Sequence, residues 1–255
     1  MTLTAAVAGL NILLGLVYTQ YGTMTIIDMK RSWRTLGFSH FGAAWIAMAF
    51  TCGPHHFVHG LHMALGNRTA GPLDLVAVLI GLPAGVAWFL LRVEAFAGGR
   101  GDRLIGGTPH WIIALPTLAG VYVAGLAAAM VTGKGLIGHF EWAIVPNMLL
   151  VAIYMMIGYY LLRTQLQNHN ELKGWSVSGL SLAIIFPTCA LMHAVYSFYA
   201  FSGSYQFDVH GFTIDSLGVP AGLYFLWVVQ GLYRMRLEDW NRSPLGEEQR
   251  TAMAT

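Results

Sequence analysis

The chain has 255 residues, 56% of them hydrophobic and 10% charged, with a net charge of +2 and a mean hydropathy of +0.57. A soluble domain carries about a quarter charged residues, so the composition excludes an ordinary soluble globule, and the small net charge argues against a nucleic-acid partner. Two cysteines cannot build a disulfide framework, which leaves an all-α integral membrane protein of the plasma or inner membrane, with the lipid bilayer as its solvent.

A membrane-crossing helix needs about 20 apolar residues, and seven runs are long enough, at roughly 3–28, 38–65, 72–97, 110–132, 139–163, 175–202 and 212–237. Nothing alternates at barrel period, so the spans are helices. No basic segment precedes the first run, so it reads as span 1 and not as a cleaved signal. Span 1 holds an amide, Asn11, and is followed by Lys30, Arg31 and Arg34. Span 2 holds TCGPHHFVHGLHM (51–63), which sets Cys52, His55, His56, His59 and His62 among apolar neighbours. Asp74 opens span 3, and Arg100 and Arg103 follow it. His139 and Glu141 open span 5, and Asn147 lies inside it. Span 6 carries Cys189, His193 and Tyr196. Asp208, His210 and Asp215 lead into span 7, which Arg234, Arg236 and Arg242 follow. The positive-inside rule then puts the N-terminus outside and the polar tail, 238–255, in the cytoplasm. Trp33, Trp111, Trp175 and Trp240 fall where an inner aromatic belt is expected.

The sequence matches itself. At an offset of 137, residues 37–66 fall on 174–203, pairing Gly37/Gly174, Ser39/Ser176, Thr51/Thr188, Cys52/Cys189, His56/His193 and Gly66/Gly203. The same offset pairs GLPAG (81–85) with GVPAG (218–222), and an offset of 136 pairs Asn11/Asn147, Tyr18/Tyr154 and Gly22/Gly158. Spans 1–3 (residues 3–97) and 5–7 (139–237) therefore read as a duplicated unit joined by span 4 (110–132). Both copies run the same way through the membrane, a parallel repeat with a pseudo-twofold axis along the membrane normal. This 3+1+3 layout resembles SWEET-type sugar transporters and, in outline, heptahelical rhodopsins. The likeness is one of layout alone, since span 7 has no lysine for a retinal Schiff base and the chain lacks a SWEET-type proline-glutamine signature.

Residues kept in both halves are the first site candidates. Cys52/His56 and Cys189/His193 are i, i+4 pairs on one helical face, at similar depth in spans 2 and 6. If the axis passes between those spans, the four form a Cys2His2 set for a transition metal (copper, iron or zinc). Alternatively, His56 and His193 are the axial ligands of a haem b. His55, His59 and His62 belong to the first half only. They lie within about 60° of helical arc at about 100° per residue, a ladder climbing roughly 10 Å toward the outer surface at 1.5 Å per residue. Pro54 at its foot predicts a kink. Asn147, Thr51, Thr188 and Asp215 are expected to take the second ring nitrogens of the histidines; Asn11 and Asn147 are expected chiefly to join helices by hydrogen bonds inside the membrane, and Asn11, His139, Glu141 and Tyr196 are further candidates.

Three functions are compatible with this pattern. The first is a redox-active metal or haem protein, acting on a lipid-soluble substrate or passing electrons, with its site in the outer half between spans 2 and 6. The second is a transporter of a metal ion or small solute that uses the histidine ladder. The third is a non-catalytic subunit of a larger membrane assembly, or a sensor.

Overall fold

A computed structural model describes residues 2–106, 114, 117–118, 120–125, 128, 141–204 and 209–239. Six long helices are described: α1 (Leu3–Leu36), α2 (His40–Ala64), α3 (Pro72–Phe96), α4 (Ile144–Leu172), α5 (Val177–Phe201) and α6 (Val209–Tyr233). They fall on expected spans 1, 2, 3, 5, 6 and 7. Five of them, α1, α3, α4, α5 and α6, are long and apolar enough to cross a membrane. The histidine-bearing α2 matches α3 in length, at 25 residues. Expected span 4 falls mostly outside the described residues, and those described within it are helical. The tail from 240 onward, Trp111 and Trp240 also lie outside them.

Two helices overrun their expected ends. Span 1 continues through its basic residues to Leu36 and stops at Gly37, whose φ of 75° only glycine adopts freely. Lys and Arg are good helix formers, so the helix does not end where its apolar run does. Span 5 likewise continues to Leu172 and stops at the left-handed Lys173. Trp175 leaves the expected belt: it is buried, stacked on His169 with ring centroids 4.3 Å apart. The chain is continuous helix through Pro54.

The helices close into a ring. Among the described residues, α1 packs on α2 and α3, α5 on α3 and α4, and α6 on α4 and α2. The order around the ring is therefore α1, α3, α5, α4, α6, α2, and α2 stands opposite α5. α1 and α2 approach closely at Gly15 and Gly53, where a Cβ on Gly15 would lie 2.8 Å from the Gly53 carbonyl oxygen. α1, α3, α4 and α6 run one way, α2 and α5 the other. Lys30, Arg31, Arg34, Arg92 and Arg103 gather at one end of the bundle, the basic end, and the span 2 histidines at the other. At the basic end Arg92 donates to the Gly101 carbonyl and Arg103 pairs with Glu94 at 2.8 Å.

The same local bonds recur 137 residues apart. Ser39 accepts from the Gly42 N–H and Ser176 from the Gly179 N–H, each capping the start of its helix. Thr51 donates to the carbonyls of Ala47 and Met48, and Thr188 to those of Ile184 and Ile185. Asn67 N–H bonds the His62 carbonyl beside Gly66, as Ser204 N–H bonds the Tyr199 carbonyl beside Gly203, both glycines having positive φ. The correspondence extends past the apolar spans. The Asp102 carboxylate accepts from Ser176 Oγ (2.6 Å), Ser178 Oγ (2.6 Å) and Ser178 N–H (2.9 Å). Asp239 accepts from Ser39 Oγ (2.7 Å) and Phe41 N–H (2.9 Å). Each aspartate follows the third helix of its half and ties down the start of a second helix. Asp102 fastens α5 within a loop that also makes a short antiparallel pairing, β1 (Leu104–Ile105) with β2 (Trp175–Ser176).

Asp102 is 1% exposed and accepts four hydrogen bonds, three from the start of α5 and one from the Arg103 N–H. Asp102→Ala is expected to destabilise the protein by about 2–3 kcal/mol, the range for hydrogen bonds to a charged group. Asp239→Ala, at a more open position, should cost about half as much. Thermal unfolding in detergent measures both, and an unchanged melting temperature for Asp102→Ala would refute this role.

Candidate functional site

The polar side chains inside the ring lie in layers. The outermost layer is at the mouth, where His62 meets the His210 ring at 5.8 Å between centroids. Beside it a cavity of about 310 Å³ is lined by His59, Arg68, Asp74, Tyr196 and Tyr199, among others. Asp74 is buried and accepts from the Gly71 N–H at 2.7 Å, as the capping residue of α3. His59 forms the cavity floor against Tyr196, with centroids 4.5 Å apart. His59 Nε2 is buried and has no hydrogen-bond partner.

Below this layer α2 and α5 meet through their side chains. The His55 and His193 rings are 5.1 Å apart between centroids, and Asp215 of α6 reaches between them. His55 Nδ1 lies 3.1 Å and His193 Nδ1 3.8 Å from Asp215 Oδ1. The short approach from His55 is out of line for a hydrogen bond, and neither Asp215 oxygen completes one. Asp215 is nevertheless 0% exposed. A buried carboxylate without aligned donors is costly.

The next layer is two-fold in character. His56 Nδ1 meets Asn11 Oδ1 at 2.9 Å, and His193 Nδ1 meets Asn147 Oδ1. Asn11 Nδ2 donates to the Val7 carbonyl, and Asn147 Nδ2 donates to the His193 carbonyl and Ser197 Oγ. These bonds fix each amide with its oxygen toward the ring, so each Nδ1 carries the proton and donates it. Each Nε2 keeps its lone pair, the tautomer a metal ligand needs. Tyr18 packs edge-on against His56 at 5.6 Å and Tyr154 against His193 at 5.4 Å. The phenols cross over to the thiols of the opposite half: Tyr154 Oη is 3.2 Å from Cys52 Sγ, and Tyr18 lines one cavity with Cys189. The two thiols line the same pair of small cavities.

Cys52, His55, His56, Cys189, Met192 and His193 line one cavity of about 10 Å³, roughly the room one water needs. The four residues expected as Cys2His2 ligands thus share a single cavity, though the ring facing His193 belongs to His55 and not to His56. Among the described residues no three His, Cys, Asp or Glu side chains already stand as a metal-holding group, so coordination requires the side chains to turn inward. The cavity offers no slot of haem size. Beneath the thiols the ring is closed by Trp45, Phe186 and Phe225, with centroids 5.0–6.0 Å apart.

The remaining candidates fall elsewhere. Thr51 and Thr188 bond their own helix and orient no histidine. Glu141 is exposed at the start of α4, and His139 and Asp208 lie outside the described residues. Tyr18, Tyr154 and Met192 join the site without having been singled out from the sequence. The matched pair Tyr18/Tyr154 carried the signal, in the same collinear offset as the two asparagines.

Asn147 makes three side-chain bonds and Asn11 two. Asn147→Ala is therefore expected to cost about 2–3 kcal/mol and Asn11→Ala about 1–2 kcal/mol, read from unfolding midpoints. Asp215→Asn is expected to lower the midpoint as well, because it takes the anionic partner, 3.1 Å away, from the buried His55. An unchanged or raised midpoint would show that this ion pair adds nothing to stability. No protein-family model, curated protein or solved structure matches the chain, so the functional reading rests on this geometry.

Proposed function

We propose that the chain is a seven-span membrane protein, built from a duplicated three-helix unit, that holds one transition-metal ion between spans 2 and 6 and uses it in redox chemistry. The duplication is supported by the capping, threonine and aspartate bonds that recur 137 residues apart. In this reading the N-terminus and the histidine end face outward, and the basic end faces the cytoplasm.

The observation that carries the metal reading is the shared cavity of Cys52, His56, Cys189 and His193. Its lining combines two thiols, the Met192 thioether and imidazoles whose bare Nε2 is set by an asparagine. Soft sulfur with imidazole is a donor set for copper or zinc, and of these two copper is the redox-active ion. Asp215 beside it supplies the anionic oxygen that would offset a cation's charge, and it now lacks a hydrogen-bond partner. The outer cavity and His59 give a polar approach, while the aromatic layer beneath excludes water from the other side.

One observation favours a second reading, transport of the ion. His62, His59, His55 and Asp215 form a descending series of polar groups from the mouth to mid-bundle.

Metal analysis of purified protein is expected to give about one equivalent of copper or zinc. His56→Ala and His193→Ala should each lose most of it, and the double variant should be no worse than the singles, as members of one site are non-additive. Absence of stoichiometric metal, together with unchanged stability after chelation, would sink the reading. In vesicles, His59→Ala separates the two uses: reduced metal flux at unchanged stoichiometry supports transport, and flux equal to wild type removes it.

A further inference from the structure

The chain has two cysteines in 255 residues, one from each half, and the fold brings them together. Both thiols are free, and they face each other near the centre of the ring, where they line the same cavities. Two small cavities of about 10 Å³ each flank the pair, and Cys52 and Cys189 line both. Each thiol has a phenol from the opposite half beside it, Tyr154 at Cys52 and Tyr18 in one cavity with Cys189. Imidazoles of His55, His56 and His193 stand on one side of the pair, and the other side is apolar: Trp45, Met48, Ile185 and Phe186. A neutral dithiol and a neutral disulfide both suit such a place. Neither leaves a charge in hydrocarbon, which makes two-electron chemistry less costly here than one-electron chemistry.

We propose that Cys52 and Cys189 are a redox couple that closes reversibly into a disulfide between α2 and α5, driven by a small two-electron oxidant of the peroxide class. The oxidant's route is the outer cavity, whose floor residue His59 stands beside His55, with ring centroids 6.4 Å apart. His55 in turn lines the cavity that reaches both thiols. Space for about one water beside the thiols excludes a disulfide or dithiol as the oxidant and limits it to the smallest molecules.

The steps balance. The Cys52 sulfur attacks one peroxide oxygen and the O–O bond breaks. The departing oxygen leaves as water with the Cys52 thiol proton and the remaining peroxide proton stays on the new sulfenic acid. The Cys189 sulfur then attacks the Cys52 sulfur and the S–O bond breaks. A second water leaves, carrying the Cys189 proton. Two thiols and one hydrogen peroxide give one disulfide and two waters. Cys52 is the first nucleophile because it is the less buried of the two. A bond of about 2.05 Å between the sulfurs draws α2 toward α5 and fills the flanking cavities. It also withdraws two of the four ligands from the metal site, but the couple does not require an ion to be bound.

With only two cysteines in the chain, the readout is unambiguous. Detergent-purified wild-type protein, treated with hydrogen peroxide and then unfolded in the presence of a maleimide mass tag, is expected to fall from two tagged thiols to none. It should remain a monomer on a non-reducing gel, yield a Cys52–Cys189 cross-linked peptide on digestion, and recover both thiols with dithiothreitol. Cys189→Ser should stop at the sulfenic acid, trapped on Cys52 by dimedone. Two taggable thiols after peroxide, cross-links between chains only, or overoxidation of one cysteine with the other still free would each overturn the proposal. Metal content is read on the same preparation before peroxide is added. A disulfide that forms in protein containing no metal leaves this couple standing and removes the metal site, whereas bound metal with no disulfide does the reverse.

Discussion

Inside a bilayer every polar group must find its partner within the protein, because lipid offers none. That constraint organises the centre of this bundle. Asn11 and Asn147 sit in apolar helices, and each spends its oxygen on an imidazole and its amide hydrogens on a carbonyl. Thr51 and Thr188 meet the same constraint locally, by bonding back to their own helix. Once these pairings are complete, both Asp215 oxygens, His59 Nε2 and Trp45 Nε1 are among the buried side-chain atoms left without a hydrogen-bond partner. Polar groups retained without partners at such a cost fit a site that receives something, and the shared thiol–imidazole cavity lies next to them.

Taken as a duplicated unit, the two halves hold each other through exchanged contacts. Tyr154 of the second half reaches Cys52 of the first, and Tyr18 of the first lines one cavity with Cys189 of the second. An isologous contact of this kind presents one patch twice, so a single ancestral surface suffices to build it. The ring agrees with the same symmetry. Advancing three places along the order α1, α3, α5, α4, α6, α2 carries each helix onto its counterpart and returns the same order. The shared centre lies where α2 and α5 face each other, which is why side chains and not backbones meet there.

The candidate site was legible in the sequence as far as its self-match at one offset reached. Cys52, His56, Cys189 and His193 stood out because they pair at that offset, and they line one cavity. What each ring touches was not legible. Helical periodicity places His55 and His56 about 100° apart without saying which one faces the partner helix, and the ring meeting His193 is that of His55. Asp102 and Asp239 escaped notice because they lie beyond the apolar runs, where one matched residue in a polar loop carries little weight by itself. Their meaning appears when both carboxylates are seen holding the start of a second helix. The helix ends were misplaced for a related reason: hydropathy reports where hydrocarbon ends, while α1 continues on the helix propensity of its basic residues until Gly37.

Departures from the two-fold give the centre its direction. At the positions of His55, His59 and His62 the second half has Met192, Tyr196 and Tyr199, and where the second half has Asp215 the first has Val78. The acidic group thus comes from one half and the extra imidazoles from the other, and they meet on one side of the thiols, toward the cavity mouth. The opposite side is filled by Trp45, Phe186 and Phe225. A symmetric pair of helices could place two cysteines and two histidines at the axis but would treat its two faces alike in composition. The unshared residues make one face polar and leave the other apolar, so whatever reaches the thiols comes from the histidine end.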